Sequence, residues 1–403
     1  MNAKIKLPVR WPQLLAGTVS MLFTGVIYAW SILKMPLARE LGWGTAELAF
    51  NYTLTLSVFC AGGLLSGFLA PRTTPRLRLM ICAALVFSGF FLTSQLSADG
   101  ILLLYLSYGI LIGTGVGMAN NTITSLINLW FPDKKGLASG ALLMAFGFSA
   151  MILGNVANAM FRLPGLGWRG TYRVLAAAVG GILFLAALVL KNPPQDLSFP
   201  AGMNAQKNAA ARDYTPLEML RRPSFWLLFL FFVLSASIGS VAMAFASDLF
   251  LAVGADADFA VAMVGVLSLF NGGGRLLSGA LFDRFGMRAA QFSASAFAIS
   301  APLLVLLALQ TGSLPIAIAG ICLCGVTYGF CPTLTASFAA AFYGLKHFPI
   351  NFSILTLNLL PGSFAAALAG AIAARTGSFT PVFLLLAGLS LLGLGITCVL
   401  RHP

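Results

Sequence analysis

The chain has 403 residues, 59% of them hydrophobic and only 9% charged, with a mean hydropathy of +0.92. A soluble domain carries about a quarter charged residues, so this composition excludes a soluble enzyme or binding module and describes a polytopic membrane protein. The net charge of +13 does not read as a nucleic-acid footprint, because the cations are dispersed among loops between hydrophobic segments rather than gathered on one face.

A span needs roughly 20 apolar residues, and that length predicts twelve: 13–33, 48–70, 77–97, 101–130, 137–160, 171–190, 224–247, 259–282, 289–309, 313–340, 350–374 and 379–400. Alternate loops, together with the two termini, hold 17 of the 24 Lys and Arg, from Lys4, Lys6 and Arg10 through Lys134, Lys135, Lys191 and Lys207 to Lys346 and Arg401. The positive-inside rule therefore predicts both termini in the cytoplasm. The first segment follows three cations as a signal peptide would. It is too long for a signal h-region and leads into a second span, so a retained helix is expected, in a bacterial inner membrane.

The first span carries GVIYAWS, Gly25 to Ser31. Tyr28 and Trp30 point in different directions on a helix, so at most one faces a central cavity while the other packs or anchors at the interface. An internal repeat follows. Gly62 to Arg76, GGLLSGFLAPRTTPR, lies over Gly274 to Arg288, GRLLSGALFDRFGMR, without a gap and with eight identities in fifteen places. The same offset, which takes Gly62 to Gly274, also carries Gly113 onto Gly325 and Gly117 onto Gly329. Two signals at one offset indicate duplicated halves: an N-terminal six-helix bundle over 1–190, a linker over 191–223 and a C-terminal six-helix bundle over 224–403. The expected fold class is an all-α membrane protein of twelve transmembrane helices in two pseudo-symmetric bundles.

Span four reads GTGVGMANNTITSLINLW. Gly113 and Gly117 have the spacing that lets helices approach closely. Asn120 and Asn121 are buried amides that either bond a neighbouring helix or contact a substrate. Trp130 to Gly140, WFPDKKGLASG, makes the turn into span five. In the linker, Thr215-Pro216-Leu217-Glu218 has a capping threonine, proline at the first helical position and glutamate at the third, the pattern of a capping box. A short amphipathic helix lying on the cytoplasmic surface, tethering the halves, is expected there.

Span eight, LSLFNGGGRLLSGALFDRFGMR from Leu267 to Arg288, places Arg275 near the middle of a hydrophobic segment, where a bare cation costs roughly 2.5 to 3.5 kcal/mol or more. No other predicted span carries an internal charge. Such a residue faces a wet cavity or an anion, or else snorkels or braces a neighbouring helix. Snorkelling fits poorly, because the span exits later, at Asp283, Arg284 and Arg288. Asn271 lies four residues before the arginine and shares its helix face. Gly272, Gly273 and Gly274 serve either close approach or flexing. In span ten, GVTYGFCPT, Pro332 removes a backbone donor and Tyr328 either packs or offers its hydroxyl to an anion.

The six cysteines, Cys60, Cys82, Cys322, Cys324, Cys331 and Cys398, all fall within spans and read as small apolar residues. No His, Asp or Glu accompanies them there, so no disulfide framework, metal or cofactor is expected. His347 and His402 lie outside the spans, and no nucleophile with a base is visible. An enzyme is not expected.

The pattern GxxxDRFGxR at Gly279 to Arg288 resembles the loop signature of the major facilitator superfamily. GVxYxWS in span one, WFPDKKGLASG after span four and the arginine in span eight together resemble its oxalate/formate antiporter branch and the related monocarboxylate transporters. This resemblance implies a midplane cavity in which Arg275 clamps a substrate carboxylate and Tyr28, Tyr328 and Asn120 line the walls. Two departures matter. Where oxalate carriers place a second cation in span eleven, this chain has Leu359. Where monocarboxylate transporters of the mammalian type place an aspartate before the arginine, it has Asn271, which does not titrate.

One buried cation facing a dianion leaves a buried charge unpaired, at a cost of several kcal/mol. The expectation is therefore a secondary carrier, acting as a monomer, for a small monocarboxylate such as lactate or pyruvate. Arg275, Asn120, Asn121, Asn271, Tyr28, Tyr328 and Leu359 would bind substrate, and Asp283 with Arg284 and Arg288 would form a cytoplasmic gate. A co-transported proton would travel on the substrate or use a boundary acid, Asp248, Asp256 or Asp258. The alternative is an anion exchanger of the oxalate/formate kind.

Overall fold

A computed structural model describes residues 10–194 and 212–400. Lys4, Lys6, Lys207, Arg401, His402 and most of the predicted linker lie outside the described residues, as does the side chain of Asp258. The described residues are helical, and eleven of the helices are long and apolar enough to cross a membrane. The chain is an integral membrane protein.

Predicted span one is α1 (Arg10–Thr24) and α2 (Trp30–Leu41), joined by a 3-10 turn, Gly25–Ala29, that carries Tyr28. Spans two and three are α3 (Thr45–Leu69) and α4 (Pro75–Thr93). Span four is α5 (Ile101–Leu104), a π-helical stretch Tyr105–Ile112 and α6 (Gly113–Trp130), followed by α7 (Lys135–Phe161) and α8 (Gly167–Val189). The predicted capping box forms at α9 (Pro216–Leu220): the Thr215 N–H donates to Glu218 Oε2 at 2.8 Å, and the Glu218 N–H donates to Thr215 Oγ1. Hydrogen bonds from Thr215 hold the Glu218 carboxyl below the ordinary carboxylate range, and Arg212 pairs with it.

Span seven is α10 (Pro223–Ala252). Spans eight and nine run on as one element, α11 (Ala257–Thr311), which is broken at Gly286, where φ is +87°. Only glycine adopts that conformation at no steric cost. Span ten is α12 (Leu314–Tyr343), and α15 (Thr380–Val399) is the last.

Span eleven is discontinuous. It forms α13 (Phe348–Thr356) and α14 (Leu359–Thr376), separated by a turn at Leu357 and Asn358. The cause is Pro361, whose missing N–H and whose ring both disturb the residue four before it, which is Leu357. Asn358 steadies the turn: its amide donates to Thr335 Oγ1 and to the Leu355 carbonyl, and its Oδ1 faces the Cys331 thiol at 3.6 Å.

The chain forms two compact units. The first holds the chain up to Pro132, resumes at Ala145 as far as the linker, and includes Phe348–Ile354. The second holds Asp133–Met144, the far end of the linker to His347, and everything from Leu355. The opening turns of α7 thus belong with the second unit, and the opening turns of α13 with the first.

The sequence repeat reappears as packing inside each unit. In the first, a Cβ on Gly113 would come within 2.9 Å of the Thr55 carbonyl oxygen, one on Gly62 within 2.5 Å of that of Thr114, and one on Gly117 would overlap that of Phe59. In the second, Gly325 meets Leu267 at 2.8 Å, Gly274 meets Val326 at 2.7 Å, and Gly329 overlaps Asn271. Each pair in the second unit is a pair of the first carried forward by the offset of the sequence repeat. Small residues let backbones touch where no side chain fits.

Candidate functional site

Arg275 sits in the first half of α11, before the break at Gly286, with Asn271 one turn before it. Both are buried, Arg275 to 2% exposure. Its Nε points at Asn271 Oδ1 at 3.4 Å, a long contact, whereas its NH1 donates to the main-chain carbonyl of Leu143 at 2.6 Å. No carboxylate among the described residues pairs with it. The guanidinium is therefore a buried charge held by neutral oxygens, with hydrogen-bonding capacity left for an anion.

Two helices approach α11 backbone to backbone around Arg275. On one side, Gly325 and Gly329 of α12 press against the backbone at Leu267 and Asn271. On the other, α7 lays Gly136 against Gly279 and Gly140 against the carbonyl of Arg275, whose oxygen a Cβ on Gly140 would approach to 2.8 Å. At the end of this crossing, Asp283 accepts two backbone N–H bonds from the start of α7, from Gly136 at 2.9 Å and from Leu137 at 2.7 Å. A carboxylate there satisfies orphan donors and faces the positive end of the helix dipole. Arg284 and Arg288 are exposed.

In the same unit, Tyr328 is half-buried with its ring packed over Gly239. Leu359, also half-buried, is the first residue of α14, directly after the break. In the other unit, the two asparagines of α6 part company. Asn121 is a tie between helices: its amide donates to the Pro349 carbonyl and to Ser353 Oγ, both at 2.7 Å, and Ser353 in turn donates to the Gly63 carbonyl. Asn120, 6% exposed, makes no such bond among the described residues. Tyr28 is half-buried with its ring edge-on to Phe146 at 5.1 Å, while Trp30 is enclosed against Tyr108 and donates its Nε1–H to the Leu48 carbonyl.

Some of this has no counterpart in the sequence reading. The Leu143 carbonyl is a backbone acceptor and leaves no residue-type signal. Lys135, 5% exposed, sends its Nζ to the Ala340 carbonyl at 3.5 Å, with the charges of Asp283 and Asp213 acting on it. Its position at the start of a predicted span reads as an ordinary loop cation. The break in span eleven had a signal, Pro361 inside a predicted helix.

The model of the Major Facilitator Superfamily matches residues 14–357. The oxalate:formate antiporter of Oxalobacter formigenes is 29% identical over 278 residues, a match spanning 69% of this chain and 64% of that protein. Monocarboxylate transporter 12 of Rattus norvegicus is 25% identical over 333 residues, covering 74% of this chain and 68% of that one. The crystal structure of the transporter FucP in its outward conformation superposes with a TM-score of 0.70 over 97% of this chain and 99% of that one, at 14% identity, a likeness of fold alone. By its twelve-span helical architecture, its duplicated packing and these matches, the chain belongs to the Major Facilitator Superfamily and is a transporter rather than an enzyme.

Proposed function

We propose that this transporter carries a small monocarboxylate of the lactate or pyruvate kind by alternating access, with Arg275 gripping the substrate carboxylate. The observation that carries this reading is the Arg275 guanidinium, buried in the middle of a span, unlike the buried Arg10 and Arg78 at helix starts, and with no carboxylate partner among the described residues. One fixed positive charge matches one negative charge, and a dianion would leave the second buried without a partner. In the unit that holds Arg275, Asn271 orients the guanidinium, Tyr328 offers a polar contact and Leu359 supplies apolar wall for the short tail; a part for Asn120 and Tyr28 is what the resemblance to the oxalate/formate branch implies. Asn121, committed to Pro349 and Ser353, supports the site indirectly. Asp283 acts in the gate by holding or releasing the start of α7, with Arg284 and Arg288 beside it.

The loop cations support both termini facing the cytoplasm of a bacterial inner membrane, and the carrier acts as a monomer. Proton coupling fits a site without its own titrating acid if the proton rides on the substrate carboxylate or uses Asp248 or Asp256 at the span boundaries. Import at acidic outside pH that ignores an uncoupler would sink the coupling.

The test is binding of L-lactate, pyruvate, formate and oxalate to the purified protein, with Arg275→Ala alongside. A monocarboxylate that binds, oxalate that does not, and loss of binding in Arg275→Ala are the expected results. Preference for oxalate overturns the substrate class; normal binding by Arg275→Ala overturns the clamp. An oxalate/formate-type exchanger is the second reading, favoured by the antiporter among the relatives. Trans-stimulation separates the two: an exchanger in proteoliposomes needs substrate on both sides, and a symporter does not.

A further inference from the structure

Gly136, Gly140 and Leu143 recur at spacings of four and three, so they share one face of α7. That face lies along α11 from Asp283 back to Arg275 and is tied at both ends. At one end Asp283 takes the N–H groups of Gly136 and Leu137; at the other, Arg275 NH1 donates to the Leu143 carbonyl at 2.6 Å. Between the ties the backbones nearly touch, at Gly136 with Gly279 and at Gly140 with Arg275.

Nε of Arg275 is already turned to Asn271, so a two-point grip on a carboxylate uses the outer edge of the guanidinium, NH1 and NH2. NH1 carries two hydrogens, and one of them is committed to the Leu143 carbonyl. We infer that the Leu143 carbonyl is a built-in competitor for the substrate at Arg275, so that substrate binding unties α7 from α11. A carboxylate accepts a charge-assisted bond more strongly than a neutral carbonyl, which lets the substrate win the exchange. The position has a mechanical consequence. Helix α7 passes from the second unit to the first between Met144 and Ala145, one residue beyond Leu143, so release occurs where the helix leaves the unit. This inference rests on the reading of Arg275 as the carboxylate clamp.

Competition predicts that loosening the crossing tightens substrate binding, because less of the protein is held in the tied state; ordinary structural damage weakens binding. The experiment measures, by calorimetry on the purified full chain, the affinities of L-lactate, pyruvate, formate and oxalate for wild type, Gly140→Ala, Asp283→Asn and Arg275→Ala. Gly140→Ala wedges the two backbones apart; Asp283→Asn weakens the far tie without adding volume and carries the test if the wedge fails to fold. Both are expected to bind the preferred acid about three- to tenfold more tightly while turning over more slowly. Unchanged or weaker binding in the folded variants overturns the inference. Loss of binding in Arg275→Ala leaves the clamp standing whichever way that falls, whereas normal binding there removes the clamp itself.

Discussion

Gly329 and Asn271 cross so closely that a Cβ on the glycine would overlap the asparagine carbonyl oxygen and lie 3.0 Å from the Arg275 nitrogen. Gly117 and Phe59 make the same crossing in the first copy of the repeat, but there the helix carries Gly63 where its counterpart carries Arg275. Two copies of one packing motif thus present one cation. Overpacking such a contact costs about 1–3 kcal/mol, so Gly117→Ala and Gly329→Ala should both lower the thermal midpoint. Gly329→Ala should in addition weaken substrate binding, because its Cβ overlaps the Asn271 carbonyl and so shifts the residue whose side chain faces the Arg275 Nε. Equal binding by the two variants would separate the crossing from the site.

The two neighbouring asparagines of α6 make a second contrast. Asn121→Ala removes two interhelical hydrogen bonds worth about 1 kcal/mol each, and lower thermal stability with substrate affinity close to wild type is expected. Asn120→Ala has no such bond to lose and should weaken binding at nearly unchanged stability. Thermal unfolding and binding measured on the same preparations decide this, and a reversed pattern would exchange the two roles.

At position 271 a carboxylate would lie one turn from the guanidinium. Asn271→Asp should compete with substrate for Arg275 at neutral pH and release it once protonated, so affinity should rise as pH falls through the titration of the new carboxyl. Wild type, with an amide there, should lack that dependence. Binding isotherms across the titration range test the difference, and identical profiles would mean the two side chains do not share the arginine.

Asp283→Asn keeps one acceptor but loses the charge that faces the start of α7. A weakened cap and dipole interaction there costs about 1 kcal/mol, and slower transport is expected without weaker substrate binding. Turnover equal to wild type in proteoliposomes would remove Asp283 from the gate.

Pro361→Ala restores a backbone donor at the break in span eleven and should allow α13 and α14 to join. A higher thermal midpoint with slower turnover is expected if the break serves as a hinge. Unaltered turnover would mark it as a passive consequence of the proline.

Much of this protein is legible in the chain because the membrane imposes one-dimensional rules. Apolar length sets the spans, a charge inside a span stands out against its cost, and an ungapped repeat that lays Gly62 on Gly274 anticipates the duplicated glycine crossings. The capping box at Thr215 and Glu218 is equally local, since both partners lie within one turn. What tertiary structure alone decided is where backbone groups go. That Leu143 offers its carbonyl to Arg275, that Pro349 and Ser353 engage Asn121 but not Asn120, and that α7 and α13 each begin in the unit opposite to their sequence half are set by close approach of distant segments. Carbonyl oxygens are the same at every residue, so no pattern of side chains records which of them a buried donor will find.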